Sequence, residues 1–187
     1  VRTILQLDGK EVCSVNGISE VSEIDVYLTC YTSTRVLTPE RLTIQNPNAP
    51  EAPTQHKARG EVVFDCDYCT IRYLGVNDAY FSNSDVILLE CENKTEDRYL
   101  SIYQAFNYLL LDDEIRAEAR MSGANCYPGS ITTMALYPQS TDYDDLSAYH
   151  TAQLKLGVYQ IKGGYHQQLA QSSVLMLDLA KTYRIGQ

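Results

Sequence analysis

Short apolar runs rich in β-forming residues, set between polar turn signals, open the chain. Thr3-Ile4-Leu5-Gln6-Leu7 and Lys10 to Val15 flank Asp8-Gly9, and Asn16-Gly17 follows directly. Asp-Gly and Asn-Gly supply the positive φ that tight hairpin turns need, so the pattern predicts an antiparallel meander. Ile24 to Tyr31 and Arg41 to Gln45 are rich in β-branched and aromatic residues and read as further strands. The segment 46–60, with Pro47, Pro50 and Pro53 at three-residue spacing, predicts a stiff extended loop. Strand character resumes at Glu61 and runs towards Tyr73. Val86 to Cys91 is a short apolar run that fits either a strand or a buried helix.

The period then changes. Thr95 is placed to cap a helix that has Glu96 and Asp97 in its first turn. Tyr99, Ile102, Tyr103, Phe106, Leu109, Leu110 and Ile115 recur every three or four residues, as an amphipathic helix requires. Arg116, Arg120 and Gly123 suit its C-terminal end, and Asp112-Asp113 could divide it in two. Beyond Pro128 the pattern is mixed. Leu154 to Val158 alternates like a strand, while 169–185 fits a helix with a buried strand at 174–179 as the alternative. The fold expected is therefore α+β: an antiparallel β-meander followed by helices. Two regions are expected, 1–122 and a C-terminal extension at 123–187.

Composition narrows the function classes. The chain has 187 residues, 44% hydrophobic and 21% charged, enough to build a packed core. Its net charge of −9 argues against a simple basic clamp for nucleic acid. Fifteen Tyr, three Phe and no Trp suit surfaces that meet other surfaces. No apolar run reaches the ~18 residues that span a bilayer, and no membrane partner is expected. Val1 fits a chain trimmed of its initiator Met, the reading favoured here, or the start of a mature secreted chain.

Six Cys are present, and only Cys66 and Cys69 form a CxxC. No second pair at zinc-ribbon spacing exists, and a flat strand would turn residues i and i+3 to opposite faces. Joint ligation would need a turn or bulge there, so no metal or cofactor is expected. Asn93-Lys94-Thr95 is a lone glycosylation sequon. His56, His150 and His166 are scattered, and Asp142 to Asp145 lacks the Gly and distal Glu of a calcium loop. With no nucleophile elbow, phosphate loop or dinucleotide fingerprint, an enzyme is not expected.

The order of hairpin, meander, proline-containing loop, strand and long amphipathic helix resembles the coat protein of levivirus-type single-stranded RNA bacteriophages. Val26-Tyr27-Leu28-Thr29-Cys30 and Arg41-Leu42-Thr43-Ile44-Gln45 carry the best local match, within a likeness over about 1–122. The resemblance implies an RNA-facing sheet presenting Thr29, Tyr31, Ser33, Arg41, Thr43 and Gln45. By alternation 29, 31 and 33 share one face, as do 41, 43 and 45. It implies a symmetry-axis loop at Pro47, Pro50 and Pro53. It also implies a helix that clasps a second copy through Tyr99, Ile102, Tyr103, Phe106, Leu109 and Leu110. The function implied is a virion protein, assembled in the bacterial host cytoplasm, that dimerises and closes into an icosahedral shell around genomic RNA. Two other readings stay open: a secreted, disulfide-bonded, Tyr-rich binding module, and a tube or connector subunit of a tailed phage.

Overall fold

The computed structural model describes residues 21–28, 40–48, 58–81, 84–122, 124–162 and 165–184. The chain divides into two compact units, Val1–Gln55 with Arg184–Gln187, and His56–Tyr183.

In the first unit β1 (Glu23–Leu28) pairs antiparallel with β2 (Glu40–Gln45). The register sets Ile24 against Ile44 and Val26 against Leu42, so one face of the ribbon is apolar. On that face Leu42 and Ile44 remain 47% and 56% exposed. The opposite face sets Asp25 against Thr43, whose hydroxyl donates to the Asp25 carboxylate at 2.8 Å. Asn46 ends the ribbon by donating to the carbonyls of Ser22 and Val21.

The second unit is built from β3 (Glu61–Asp65), β4 (Cys69–Phe81), β5 (Ser84–Asn93), β6 (Leu100–Gln104), β7 (Tyr108–Leu111), β8 (Ile115–Ser122), β9 (Asn125–Cys126), β10 (Ile131–Pro138), β11 (Thr151–Leu154), β12 (Leu156–Lys162), β13 (Tyr165–Gln171) and β14 (Leu175–Asp178). Eight strands form one antiparallel sheet in the order β14-β11-β7-β8-β10-β5-β4-β3, and four form a second in the order β13-β12-β6-β9. One antiparallel pair of long strands runs through both sheets. β6 and β12 pair in the smaller sheet, then bend at Ala105 and Lys155 to continue as β7 and β11 in the larger. From the pair Gln104–Leu156 to the pair Leu110–Gln153 one strand advances six residues and its partner three. The surplus residues make the corner, as bulges do where a sheet folds over.

The larger sheet almost closes on itself. β3 covers β4 only as far as Tyr73, and the segment after β14 takes the edge that remains. The Val76 N–H donates to the Lys181 carbonyl at 2.7 Å, and the Tyr183 N–H to the Val76 carbonyl at 2.8 Å. Gly75, at φ +144°, permits this approach: a Cβ there would lie 2.7 Å from the Lys181 carbonyl oxygen. The inward faces of both sheets share one core, in which Ile71, Leu89, Ile102, Leu109, Leu136 and Leu156 are fully buried. A smaller cluster of Leu74, Val86, Leu88 and Ala135 lies on the other face of the larger sheet, against Tyr137 and Tyr183. β5 is thus covered on both faces, which explains its unbroken apolar run and resolves it as a strand.

The α+β expectation fails. The unit is nearly all β, and among the described residues the helical segments are two short 3-10 turns at Thr141–Tyr143 and Leu146–Ala148. The helix expected from Thr95 onward is β6, β7 and β8, with no clasping helix in it. The Ile115–Ser122 segment shows why: Ala117 and Ala119 face the core while Arg116, Glu118 and Arg120 face out. Alanine, glutamate and arginine are good helix formers, yet their order here has a period of two, and burial of the small side chains decides the outcome. Asp112 and Asp113 do interrupt the stretch, at φ 46° and 64°, as the turn of the β7–β8 hairpin. The helix expected over 169–185 is replaced by β13 and β14. Among the described residues no helix is long and apolar enough to cross a membrane.

Candidate functional site: a file of thiols at a hairpin turn

Asp65 pairs with Thr70, and the Cys66 N–H donates to the Cys69 carbonyl at 3.0 Å, so Asp67 and Tyr68 form a two-residue turn between β3 and β4. The CxxC therefore spans a hairpin, not a flat strand, and the turn that joint use of both cysteines requires is present. The two sulfurs are 3.9 Å apart. Cys69 points into the core, as do Ile71 on the same strand and Cys91 on β5. Cys126 enters the same space from β9 of the smaller sheet, with its thiol 3.3 Å from the Cys91 carbonyl. All four cysteines are free; Cys66 is half-buried and the other three have no exposed surface.

Cys66 and Cys69 are in sulfur–sulfur contact, and Cys126 reaches β5 through the Cys91 carbonyl. Hydrogen bonding to Cys126 and Cys69, reinforced by burial, holds the Cys91 proton firmly and raises its pKa. The bond from Cys91 favours the thiolate at both neighbours and draws Cys126 down to about 7, with help from Thr132 and Ser130. Burial pushes the Cys66 thiol up, against the opposing pull of the Tyr68 and Cys69 backbone, and the thiol lies 3.5 Å from the Cys69 carbonyl oxygen. Lys94 caps the turn, donating to the Asp65 carboxylate at 2.6 Å and to the Cys66 carbonyl at 2.9 Å. Among the described residues no group of three or more His, Cys, Asp or Glu side chains is placed to hold a metal ion.

Asn93 adjoins this cluster. Its side-chain N–H groups donate to the carbonyls of Arg98 and Cys126, and its oxygen accepts from the Thr95 N–H and hydroxyl. The sequon asparagine is thus 2% exposed and its amide nitrogen is fully engaged, which removes it as a glycosylation acceptor in the folded chain. The acidic loop is similarly engaged: Ser140 and Asp145 cap the two 3-10 turns, and Asp85 accepts the Leu146 N–H.

The residues singled out from the sequence do not converge. Thr29, Tyr31, Ser33, Pro50 and Pro53 lie outside the described residues, as does the Arg41 side chain. Thr43 and Gln45 are exposed on β2, and Pro47 is exposed just beyond it. Of the expected clasp, Ile102 and Leu109 are core residues, and Tyr99 and Leu110 are half-buried. Tyr103 and Phe106 face solvent; Phe106, 48% exposed, stacks on Tyr108, and Tyr103 packs edge-on against Tyr159 and His166. Cys91 and Cys126 were not legible as partners of the CxxC. The available signal was parity: Cys91 falls in step with Ile87 and Leu89, which face the core.

No protein-family model matches the chain, and no curated protein or solved structure does.

Proposed function

We propose that the chain is a non-catalytic structural protein that joins copies of itself, as a subunit of a virion shell or tube does. The observation that carries the reading is β13. It forms the outer edge of the smaller sheet, and its first four residues, Tyr165 to Gln168, are exposed, with Tyr165 at 79%. Its sequence, Tyr-His-Gln-Gln-Leu-Ala-Gln, contains no Lys, Arg, Asp, Glu or Pro. A sheet edge offers a row of N–H and C=O groups to any strand that can lie beside it, and folded proteins usually block such an edge with charge or proline. β3, at one end of the larger sheet, is guarded in that way by Glu61 and Asp65. In a chain of net charge −9, a seven-residue uncharged edge suits pairing with a second copy.

The RNA part of the reading has weaker support. The Thr43 hydroxyl is engaged by Asp25, and that carboxylate sits on the face that would meet phosphate. Nucleic-acid content is accordingly a separate outcome of the same test.

The full chain is sized by light scattering over a range of concentrations, with absorbance at two wavelengths and negative-stain imaging. Large assemblies are expected. The double substitution Tyr165→Lys with Gln168→Lys should return them to single chains without lowering the thermal midpoint. A wild-type chain that stays monomeric at high concentration refutes the reading. Assemblies that survive both lysines refute the role of β13.

A further inference from the structure

The CxxC turn can take a covalent modification that self-assembly does not require. Its backbone is already closed. The Cys66 N–H donates to the Cys69 carbonyl at 3.0 Å. The next pair outward, Asp65 and Thr70, is tied by the Thr70 hydroxyl on the Asp65 carboxylate. Residues hydrogen-bonded across a hairpin in this way lie about 5.5 Å apart at Cα. A disulfide needs a Cα separation of about 4.4–6.8 Å. The side chains follow the backbone. The Cys66 thiol lies over the turn, 3.5 Å from the Cys69 carbonyl oxygen and 3.9 Å from the Cys69 sulfur. A change of staggered rotamer brings two such sulfurs to the ~2.05 Å of a bond.

The turn is also held from outside. Neither Asp67 nor Tyr68 has the positive φ on which the favoured two-residue hairpin turns depend. Lys94 secures the closure instead. Its N–H donates to the Tyr68 carbonyl at 2.9 Å, and its ammonium to the Cys66 carbonyl at 2.9 Å and the Asp65 carboxylate at 2.6 Å. Groups fixed in contact beforehand react as though at very high local concentration. Ring closure between Cys66 and Cys69 therefore needs no movement of the backbone. Access differs among the four described cysteines. Cys66 is half-buried at the rim, whereas Cys69, Cys91 and Cys126 have no exposed surface. The Cys126 thiol is further engaged by the carbonyls of Cys91 and Ser130. Of the four, Cys66 alone can meet a reagent from solvent, and Cys69 is the thiol beside it.

We propose that Cys66 and Cys69 are a reversible redox modification site, whose disulfide ties β3 to β4 across the turn. The co-reactant is a small disulfide of the glutathione class, RSSR. Cys66 gives its proton to solvent and its sulfur attacks one sulfur of RSSR. The Cys66–S–S–R bond forms, the RSSR bond breaks and RS⁻ leaves. Cys69 then gives up its proton, and its sulfur attacks the Cys66 sulfur and expels the second RS⁻. Two cysteine thiols are oxidised, RSSR is reduced, and the two protons end on two RSH. Excess RSH reverses both steps. Burial of Cys66 slows the first step without changing its end point, so exchange is faster in alkali. The tie falls on β3, a five-residue strand at the end of the larger sheet.

The test uses the full chain, purified reduced and equilibrated at mildly alkaline pH in glutathione buffers of graded ratio. Samples are quenched in acid, alkylated and mapped by peptide mass spectrometry, while circular dichroism confirms that the strands persist. A Cys66–Cys69 disulfide that forms in oxidising buffer and is lost in reducing buffer is expected. Cys66→Ser, at the half-buried rim, should abolish it with the strands intact. Cys69→Ala should leave glutathione bound to Cys66 as the trapped mixed disulfide. Folded wild-type protein whose Cys66 and Cys69 both stay reduced in the most oxidising buffer overturns the proposal. A disulfide that joins either of them to any other cysteine overturns it equally.

Discussion

Glu90→Ala should destabilise the second unit by about 3 kcal/mol, because it removes one half of a buried ion pair. Glu90 lies on β5 with its side chain wholly buried. By alternation it follows Val86 and Leu88 on the outer face of the larger sheet. One carboxylate oxygen accepts the Arg59 backbone N–H at 2.6 Å, and the other lies 3.6 Å from the Arg59 guanidinium. That guanidinium also sits over the Tyr183 ring, 5.4 Å from its centroid. Removing one partner of a fully buried pair typically costs about 3–5 kcal/mol. Arg59 keeps 35% of its side chain in solvent and can be partly rehydrated, which places the expectation at the lower end. Glu90→Gln keeps an acceptor for the Arg59 N–H and loses only the charge, so about 1–2 kcal/mol is expected. The double substitution Arg59→Met with Glu90→Met removes both charges and should fall between the two single variants. Urea unfolding followed by far-UV circular dichroism measures all three, and thermal midpoints should drop by about 6–12 °C for Glu90→Ala. A Glu90→Ala variant within about 1 kcal/mol of wild type would refute the argument, as would a double variant no more stable than Glu90→Ala.

Gly75→Ala should detach the segment that closes the larger sheet, since the new Cβ meets backbone atoms of Lys181, Thr182 and Tyr183 within 3.0 Å. Loss of the two hydrogen bonds to Val76 predicts about 2 kcal/mol, read as faster hydrogen exchange at the Val76 and Tyr183 amides; unchanged exchange would refute the closure. Asp112 gives a pH signature. Hydrogen bonds from the Thr151 and His150 N–H groups hold its carboxyl below the ordinary value of 3.8. A lowered pKa adds stability that is complete above the unfolded value and is lost as pH falls through the folded one. The stability gap between wild type and Asp112→Asn should therefore be constant above about pH 5 and shrink in acid; a gap that persists to about pH 2 would exclude that role.

Local chemistry was legible wherever a strand is covered in the ordinary way. Ile24 to Leu28, Arg41 to Gln45 and the stretch from Glu61 to Tyr73 are rich in β-branched and aromatic residues, and they form strands, the last as two strands on either side of the turn at Asp67-Tyr68. Leu156 and Val158 likewise alternate into the core. Tyr99 to Met121 misled because two patterns coincide there. Ile102, Leu109 and Ala117 are core positions of three different strands, while Tyr103, Phe106 and the charges between them are surface. Turns at 105–107 and at Asp112–Asp113 reset the alternation, and the sum of three short strands imitates a helical stripe. No window over the sequence separates these, since corner residues such as Ala105 and Phe106 carry no turn signal, and Asn107 alone marks the break. The thiol site was half legible. Cys66 and Cys69 stood out by spacing, but whether they could act together hung on a turn at Asp67-Tyr68 that contains neither Gly nor Pro.

The sequence alone determined which side chains seek the interior and where charge is scarce, because both follow from composition and near-neighbour order. It carried the uncharged run of β13 and the apolar run of β5. Only the tertiary structure decided that β5 is central and β13 an edge, that Gly75 faces a backbone, and that Cys91 and Cys126 meet the CxxC from different sheets. Those are relations between residues from 22 (Cys69 and Cys91) to 106 (Gly75 and Lys181) positions apart, and in a β fold strand order, not local preference, brings such residues into contact.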